Sequence, residues 1–97
     1  MQQRTTQKEQ LLAQRLKVLG DPCRMRIFCM LFAKRAVCVS EIADEMGVSV
    51  AVVSHHVRAL ARAGYVLPQR AGKQVCYVLT SDAFVDDVRS LLCKYRS

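Results

Sequence analysis

The feature that most limits the fold of this chain is a tight turn at Gly47-Val48-Ser49 between two amphipathic segments. Ser40 and Glu41 predict the start of the first segment, because a hydroxyl caps a helix and an acidic side chain complements its positive end. The second segment runs from about residue 50 to 63, with apolar side chains at helical spacing: Val53, Val57 and Leu60. A glycine-containing turn between two such helices predicts a helix-turn-helix.

A β-hairpin is predicted directly after the second of these helices, which Gly64 ends. Residues 65–70 and 74–80 are rich in tyrosine and valine, and Ala71-Gly72-Lys73 lies between them. Three further helices are predicted over residues 6–19, 22–33 and 82–95. Asp21 and the Ser81-Asp82 pair are predicted to cap the last two of these, and Ser49 to cap the second segment of the helix-turn-helix. The order of elements predicts a mainly α fold with a small β-hairpin wing. We therefore expect residues 1–97 to form one winged helix-turn-helix domain.

Composition agrees with a small nucleic-acid-binding domain. The 97 residues carry 15 Lys and Arg against 8 Asp and Glu, a net charge of +7 that favours a polyanionic partner. A chain this short buries a modest fraction of its surface, so a second copy would supply useful extra burial. No stretch is apolar enough to span a membrane, and the amino terminus has no signal-peptide core. We expect a cytoplasmic protein without a membrane partner.

The positive charge is concentrated on the predicted helix-turn-helix and wing. No acidic residue occurs from Met46 through Ser81, whereas four arginine or lysine residues do. Small or hydrogen-bonding side chains outside the apolar stripe suit base edges, and cations suit phosphates. The predicted DNA-binding residues are Ser49, Val50, Ala51, Ser54, His55, Arg58, Arg62, Arg70 and Lys73. Because adjacent helical residues point in different directions, His55 and His56 do not form a metal pair; we expect one at the DNA and the other near the core or a phosphate.

Three motifs give the chain a family resemblance. The chain resembles the ArsR/SmtB family of bacterial metal- and stress-sensing repressors in three segments, which occur in the family's order. They are LGDPCRMRIFCML, the helix-turn-helix segment with Ser54-His55-His56-Val57, and RAGKQVCYVL. The resemblance implies a homodimer on a palindromic operator, with the first and last helices at the dimer interface and an effector that weakens DNA binding. The expected interface residues are Leu12, Leu16, Phe84, Val88, Leu91 and Tyr95.

The resemblance leaves the effector open. Arsenic- and cadmium-responsive members of the family carry Cys-Val-Cys where this chain has Cys38-Val39-Ser40, so only one thiolate is retained. A soft metal or trivalent arsenic requires several thiolates, and a serine hydroxyl replaces one poorly. Zinc-responsive members use Asp and His in the last helix, which has no histidine here. Cys38 with Cys23 remains a candidate metal pair, and arsenite or cadmium is the alternative effector. We expect no cofactor to be required.

The persulfide and redox sensors of the family resemble the chain at different cysteines. Those proteins carry one cysteine late in the second helix, where Cys29 lies, and another near the end of the last helix. Cys93 lies about one turn earlier than that second position. We expect Cys29 and Cys93 to be the sensor thiols, because a bridge between two helices constrains their relative placement. Cys76 is expected only to pack, as free cysteines often do.

These observations rank three functions. The first is a DNA-binding repressor released when thiols are oxidised or persulfidated, and the second is a repressor that responds to a metal or metalloid. A winged-helix interaction module that no longer binds DNA is the alternative from another class. An enzyme is not expected, because the sequence has no paired carboxylates, phosphate-binding glycine loop or cysteine with a placed base.

Overall fold

Side-chain caps set where the helices begin in the computed structural model, which describes residues 4–96 of the chain. Helix α1 spans Gln7–Leu19 and helix α2 spans Pro22–Ala33. The Asp21 carboxylate accepts hydrogen bonds from the backbone N–H groups of Cys23 and Arg24, at 2.8 and 3.2 Å. The predicted cap of α2 is thus confirmed. Residues 1–3 and 97 of the predicted domain lie outside the described residues.

The predicted helix-turn-helix is present. Helix α3 spans Val39–Met46 and helix α4 spans Val50–Arg62. Between them Gly47 adopts φ 68° and ψ 34°, the left-handed conformation that ends many helices. The Ser49 hydroxyl accepts a hydrogen bond from the Val52 backbone N–H at 3.2 Å, which confirms the predicted cap of α4. The turn therefore ends one helix and starts the next within three residues.

The predicted wing is present as a β-hairpin. Three of its four strand ends differ from the prediction by one residue. Strand β2 spans Val66–Ala71 and strand β3 spans Gln74–Leu79, antiparallel to β2. Ala71 pairs with Gln74, so Gly72 and Lys73 form the turn. Gly72 has φ 65°, a conformation that glycine adopts at little cost.

A third strand was not predicted. Strand β1, Val37–Cys38, pairs with β3 in an antiparallel register that places Cys38 opposite Cys76. Two residues are too few to show an alternating pattern, so the sequence carries no signal for this strand. Because β1 leads directly into α3, that helix starts at Val39, and the predicted start at Ser40 is wrong by one residue. The backbone N–H of Cys38 donates to the Glu41 carboxylate at 3.1 Å.

The last helix and the core complete the fold. Helix α5 spans Ala83–Tyr95, and Asp82 caps it by accepting a hydrogen bond from the Val85 N–H at 2.8 Å. Tyr65, between α4 and the wing, is fully buried with its ring edge against Phe28. Its hydroxyl donates to the Arg15 carbonyl at 2.7 Å, which links the wing base to α1. Burial raises the pKa of the Tyr65 phenol.

The architecture is the predicted mainly α winged helix-turn-helix. Residues 4–96 form five helices and a three-stranded antiparallel sheet in the order β1-β3-β2. None of the helices within this range has both the length and the apolar character needed to cross a bilayer.

The helix-turn-helix conformation depends on Gly47, which gives a stability prediction. An added Cβ at this position would meet no atom within 4 Å, so the cost of Gly47→Ala is conformational rather than steric. We expect this variant to lose about 1–2 kcal/mol of unfolding free energy, the usual cost of a left-handed residue with a Cβ. Gly47→Asn should lose less, because asparagine tolerates this conformation. Urea unfolding measures both, and equal stability of the alanine variant and the parent chain would contradict the turn geometry.

Candidate nucleic-acid interface

The apolar stripe of α4 fixes which side of the helix faces outward. Val53, Val57 and Leu60 are buried in the core as predicted. The opposite side is therefore turned to solvent, where Ala51, His55, Arg58 and Arg62 are exposed. Ser54 is half-buried beside the stripe, and Val50, one turn before Val53, is exposed at the start of the helix. Ser49, exposed at the start of the helix, continues this side. Core packing thus presents a row of small and basic side chains outward.

Basic residues of this row lie together. His55, Arg58 and Arg62 line one shallow cleft on α4. The Arg58 Nε donates to the Ser54 carbonyl at 3.1 Å, which holds the guanidinium along the helix. Arg62 also lines a separate cleft against α1. Arg62 therefore lies at the edge of the row, where α4 meets α1.

The wing lies beside the start of α4. Val50 and Ser54 line a groove whose other wall includes Gln74 and Val75 of β3. Val75 pairs with Arg70 across the hairpin, and Lys73 occupies the hairpin turn. We call the predicted DNA-binding residues together the α4–wing surface: Ser49, Val50, Ala51, Ser54, His55, Arg58, Arg62, Arg70 and Lys73. Of these residues, Val50 and Ser54 line the groove itself, and Arg70 and Lys73 lie on the same hairpin as its other wall.

The cations of the α4–wing surface form no salt bridge with an acidic side chain in the described part of the chain. The two salt bridges among residues 4–96 lie elsewhere, from Arg15 to Asp82 at 3.4 Å and from Arg26 to Glu45 at 3.5 Å. An exposed cation without a carboxylate partner can contact phosphate without first breaking an ion pair. The surface is therefore free to bind a polyanion.

The two adjacent histidines have different surroundings. His55 is exposed on the α4–wing surface, whereas His56 is half-buried against α2. The His56 Nδ1 accepts a hydrogen bond from the Arg24 Nε at 3.2 Å. Arg24 also donates to the Val18 carbonyl at 3.3 Å, so it joins three helices. Sequence reasoning did not select Arg24, because no local pattern indicates a contact 32 residues away.

The cysteines are arranged differently from the prediction in one respect. Cys38 and Cys76 form a disulfide across β1 and β3, so the expectation that Cys76 only packs is wrong. The paired strands bring the two residues opposite each other, and β1 could not be foreseen. Cys29 is a buried free thiol in α2, and Cys93 is an exposed free thiol in α5. Cys29 and Cys93 are not bonded to each other in this structure.

The candidate metal pair of Cys23 and Cys38 also needs correction. The Cys38 sulfur is bonded to Cys76, so it is not a thiolate ligand in this structure. Cys23 instead lies with Asp21 and His56, and the ligand atoms of the three residues are all within 4.8 Å of one another. Cys23 therefore has candidate co-ligands that the sequence did not indicate.

The predicted dimer residues divide into two groups. Leu12, Leu16, Leu91 and Tyr95 are exposed, at 45%, 50%, 55% and 72%. Val88 is buried in the core of its own chain, so it leaves little surface for a partner to cover. Phe84 is half-buried, with the Arg15 guanidinium 4.1 Å from its ring centre.

Comparison with known proteins agrees with this geometry. The family model described as "Bacterial regulatory protein, arsR family" matches residues 21–67. An HTH-type transcriptional regulator of Methanocaldococcus jannaschii is 32% identical over 76 residues, which cover 78% of this chain and 85% of that protein. The cadmium resistance transcriptional regulatory protein CadC of Listeria innocua is 36% identical over 65% of this chain. The chain spans about half of CadC, 53% of its length.

Solved structures resemble the whole fold. Reduced HlyU from Vibrio cholerae superposes with a TM-score of 0.82 and 26% identity, covering 93% of this chain and 94% of that one. A homodimeric winged helix-turn-helix DNA-binding domain from Mycobacterium bovis gives a TM-score of 0.78, with 99% and 90% of the two chains covered. At 23% identity the latter likeness shows the fold alone.

The free cations of the wing predict a salt effect on binding to a random-sequence duplex. Replacing both Arg70 and Lys73 with alanine should make the plot of log affinity against log salt shallower by about 1.8 for each bound protomer, because each lost phosphate contact removes about 0.9 from the slope. Fluorescence anisotropy at several salt concentrations measures this slope. Lys34→Ala removes an exposed charge at the end of α2 and serves as the control. A slope unchanged in the double variant would show that the wing does not contact phosphates.

Proposed function

We propose that this chain, which belongs to the ArsR family of helix-turn-helix transcriptional regulators, represses transcription by binding a palindromic operator as a homodimer. Its relatives are regulators and not enzymes. The α4–wing surface is the proposed DNA contact, and thiol oxidation or persulfidation is the proposed release signal. The observation that carries the proposal is the row of unpaired cations and small side chains on α4 beside the wing.

The chemistry of the α4–wing surface suits a major groove. Ser49, Ala51 and Ser54 are small, so the first turns of α4 can approach base edges closely. His55 and Arg58 lie further along the same side and can donate hydrogen bonds to bases or phosphates. In this proposal Arg70 and Lys73 bind the backbone beside the groove. Base contacts then supply specificity while the wing supplies affinity.

A dimer follows from the apolar surface that one chain leaves uncovered. Leu12 and Leu16 on α1, with Leu91 and Tyr95 on α5, expose large apolar side chains that no element of the same chain covers. Two copies related by a two-fold axis would bury these side chains and present two copies of α4. Two such helices suit half-sites separated by one helical turn of DNA.

The proposed release signal acts through Cys29 and Cys93. Cys93 of α5 lines a cleft together with Phe32 of α2, which lies one turn after Cys29 on the same side of that helix. Oxidation by a peroxide would remove two protons and two electrons from the thiols, form a disulfide and release water. A polysulfide would transfer one sulfane sulfur to the first thiolate, breaking its own S–S bond and leaving one sulfur shorter. The second thiolate would then attack the inner sulfur of this persulfide, form the disulfide and release hydrosulfide. Either bridge would move α5, which carries half of the proposed dimer surface.

A metal response is the second candidate, favoured by the cluster of Asp21, Cys23 and His56. CadC, named for cadmium resistance, is among the similar proteins. A winged-helix interaction module without DNA binding is the remaining candidate; its binding would not weaken as salt is added.

The dimer proposal predicts the effect of a charge on the α5 face. Leu91→Glu should convert the dimer to a monomer, because a carboxylate buried at an apolar interface loses its hydration. Sedimentation velocity of the parent chain and the variant measures the association state. Leu67→Glu is the matched control, since Leu67 on β2 is as exposed, at 54%, as Leu91 at 55%. An equally dimeric Leu91→Glu chain would refute the assignment of this face.

The release signal is tested on an operator selected from random duplexes with the reduced protein. Polysulfide should weaken binding by at least about tenfold, within the usual range of coupling between two sites. Cys29→Ser and Cys93→Ser should stay on the operator under polysulfide, whereas Cys38→Ser should still release it. Parallel challenges with peroxide, arsenite, cadmium and zinc compare the effectors. If Cys29→Ser releases the operator under polysulfide while Cys38→Ser and Cys76→Ser stay bound, the proposed sensor pair is wrong. Cys38 and Cys76 would then be the sensing residues.

A further inference from the structure

We infer that Asp21, Cys23 and His56 form a binding site for a thiophilic divalent cation of the zinc and cadmium class. Asp21 and Cys23 lie at the start of α2, and His56 lies in the middle of α4. The inference deepens the metal-responsive form of the proposed function, and its consequence for DNA binding rests on that function. The binding site itself stands on the geometry and chemistry of the three side chains.

The geometry needs only small side-chain movements. The three candidate ligand atoms lie within 4.8 Å of one another. In a tetrahedral zinc site with bonds of about 2.0–2.3 Å, neighbouring ligand atoms are roughly 3.3–3.8 Å apart. Rotation about side-chain bonds can close this difference of at most about 1.5 Å while the helix backbones stay fixed. All three residues are half-buried, so an ion would be partly shielded and still able to enter.

The set of donor atoms selects the class of ion. One thiolate, one imidazole and one carboxylate are ligands that zinc accepts together, with a fourth position left for water. Magnesium and calcium prefer oxygen ligands alone. Trivalent arsenic requires several thiolates, and this cluster supplies one. The site therefore favours zinc, cobalt or cadmium over arsenite.

The carboxylate is available while it caps α2. Its Oδ1 accepts the backbone N–H groups of Cys23 and Arg24, which leaves the second oxygen for an ion. The hydrogen bond from the Arg24 backbone lowers the pKa of the Asp21 carboxyl. Asp21 is therefore negatively charged at neutral pH.

Arg24 opposes the ion. Its Nε donates to the His56 Nδ1 at 3.2 Å, so an ion bound at that nitrogen would displace the guanidinium. The positive charge of the guanidinium also repels a cation. Removal of this guanidinium should therefore strengthen ion binding. If the cluster had only a structural role, its removal would not have this effect.

An ion at this site would join the start of α2 to α4. His56 adjoins His55, which belongs to the α4–wing surface. If α4 is the DNA-binding helix, ion binding and DNA binding share a helix. Any effect of the ion on operator affinity would then be matched by an equal effect of the operator on ion affinity.

The test is a cobalt titration of the DNA-free full chain with the Cys38–Cys76 disulfide intact, verified by mass spectrometry. One equivalent of Co²⁺ should produce visible d–d bands and a near-ultraviolet sulfur-to-metal charge-transfer band, and Zn²⁺ should displace it. Cys23→Ser should lose the charge-transfer band. Asp21→Asn, which keeps a good helix cap, should weaken binding at least about tenfold. Arg24→Gln should bind several-fold more tightly.

A histidine next to the site and a free thiol on α5 supply matched controls. His55→Gln and Cys93→Ser should bind Co²⁺ like the parent chain, whereas His56→Gln should not. Circular dichroism shows which variants are folded, and Asp21→Asn decides the outcome if His56→Gln unfolds. A parent chain that binds no Co²⁺, or a charge-transfer band that survives in Cys23→Ser, would overturn the site. Because no DNA is present, either result would leave the proposed repressor function intact.

Discussion

Burial of the apolar stripe of α4 is the interaction on which the rest of the structure depends. Val53, Val57 and Leu60 pack into the core with almost no exposed surface. Their burial fixes the rotation of α4 about its axis, and the rotation decides which side chains face outward. The same packing holds His56 against α2 while His55 faces solvent. A hydrophobic constraint inside the domain thus determines the chemistry that the domain presents outside.

The wing depends on the same core from the other side. Tyr65 is buried directly after α4, and its hydroxyl bonds the backbone of α1. The chain therefore leaves the core in a fixed direction as β2 begins. Strand β1 then pairs with β3 and joins the wing to the start of α3. Helix and wing are held as one unit, so their cations have a defined arrangement toward a duplex.

The sequence predicted those parts of the fold that local patterns encode. Helical spacing gave all five helices, and the residues with specialised backbone roles, Asp21, Gly47 and Ser49, were identified from their chemistry. Strand β1 has only two residues and no period, so it and the Cys38–Cys76 disulfide were missed. Helical spacing also could not separate Val88, buried in its own chain, from Leu91, which is exposed. Contacts between distant segments, such as Arg24 with His56, leave no local signal.

We propose that the outward side of α4 and the wing contact DNA together. An NMR titration of ¹⁵N-labelled protein with a short duplex tests this contact residue by residue. We expect the largest amide shift changes over residues 49–58 and 70–73, with small changes on the buried side of α2. Changes concentrated on α1 and α5, with residues 49–58 unaffected, would contradict it.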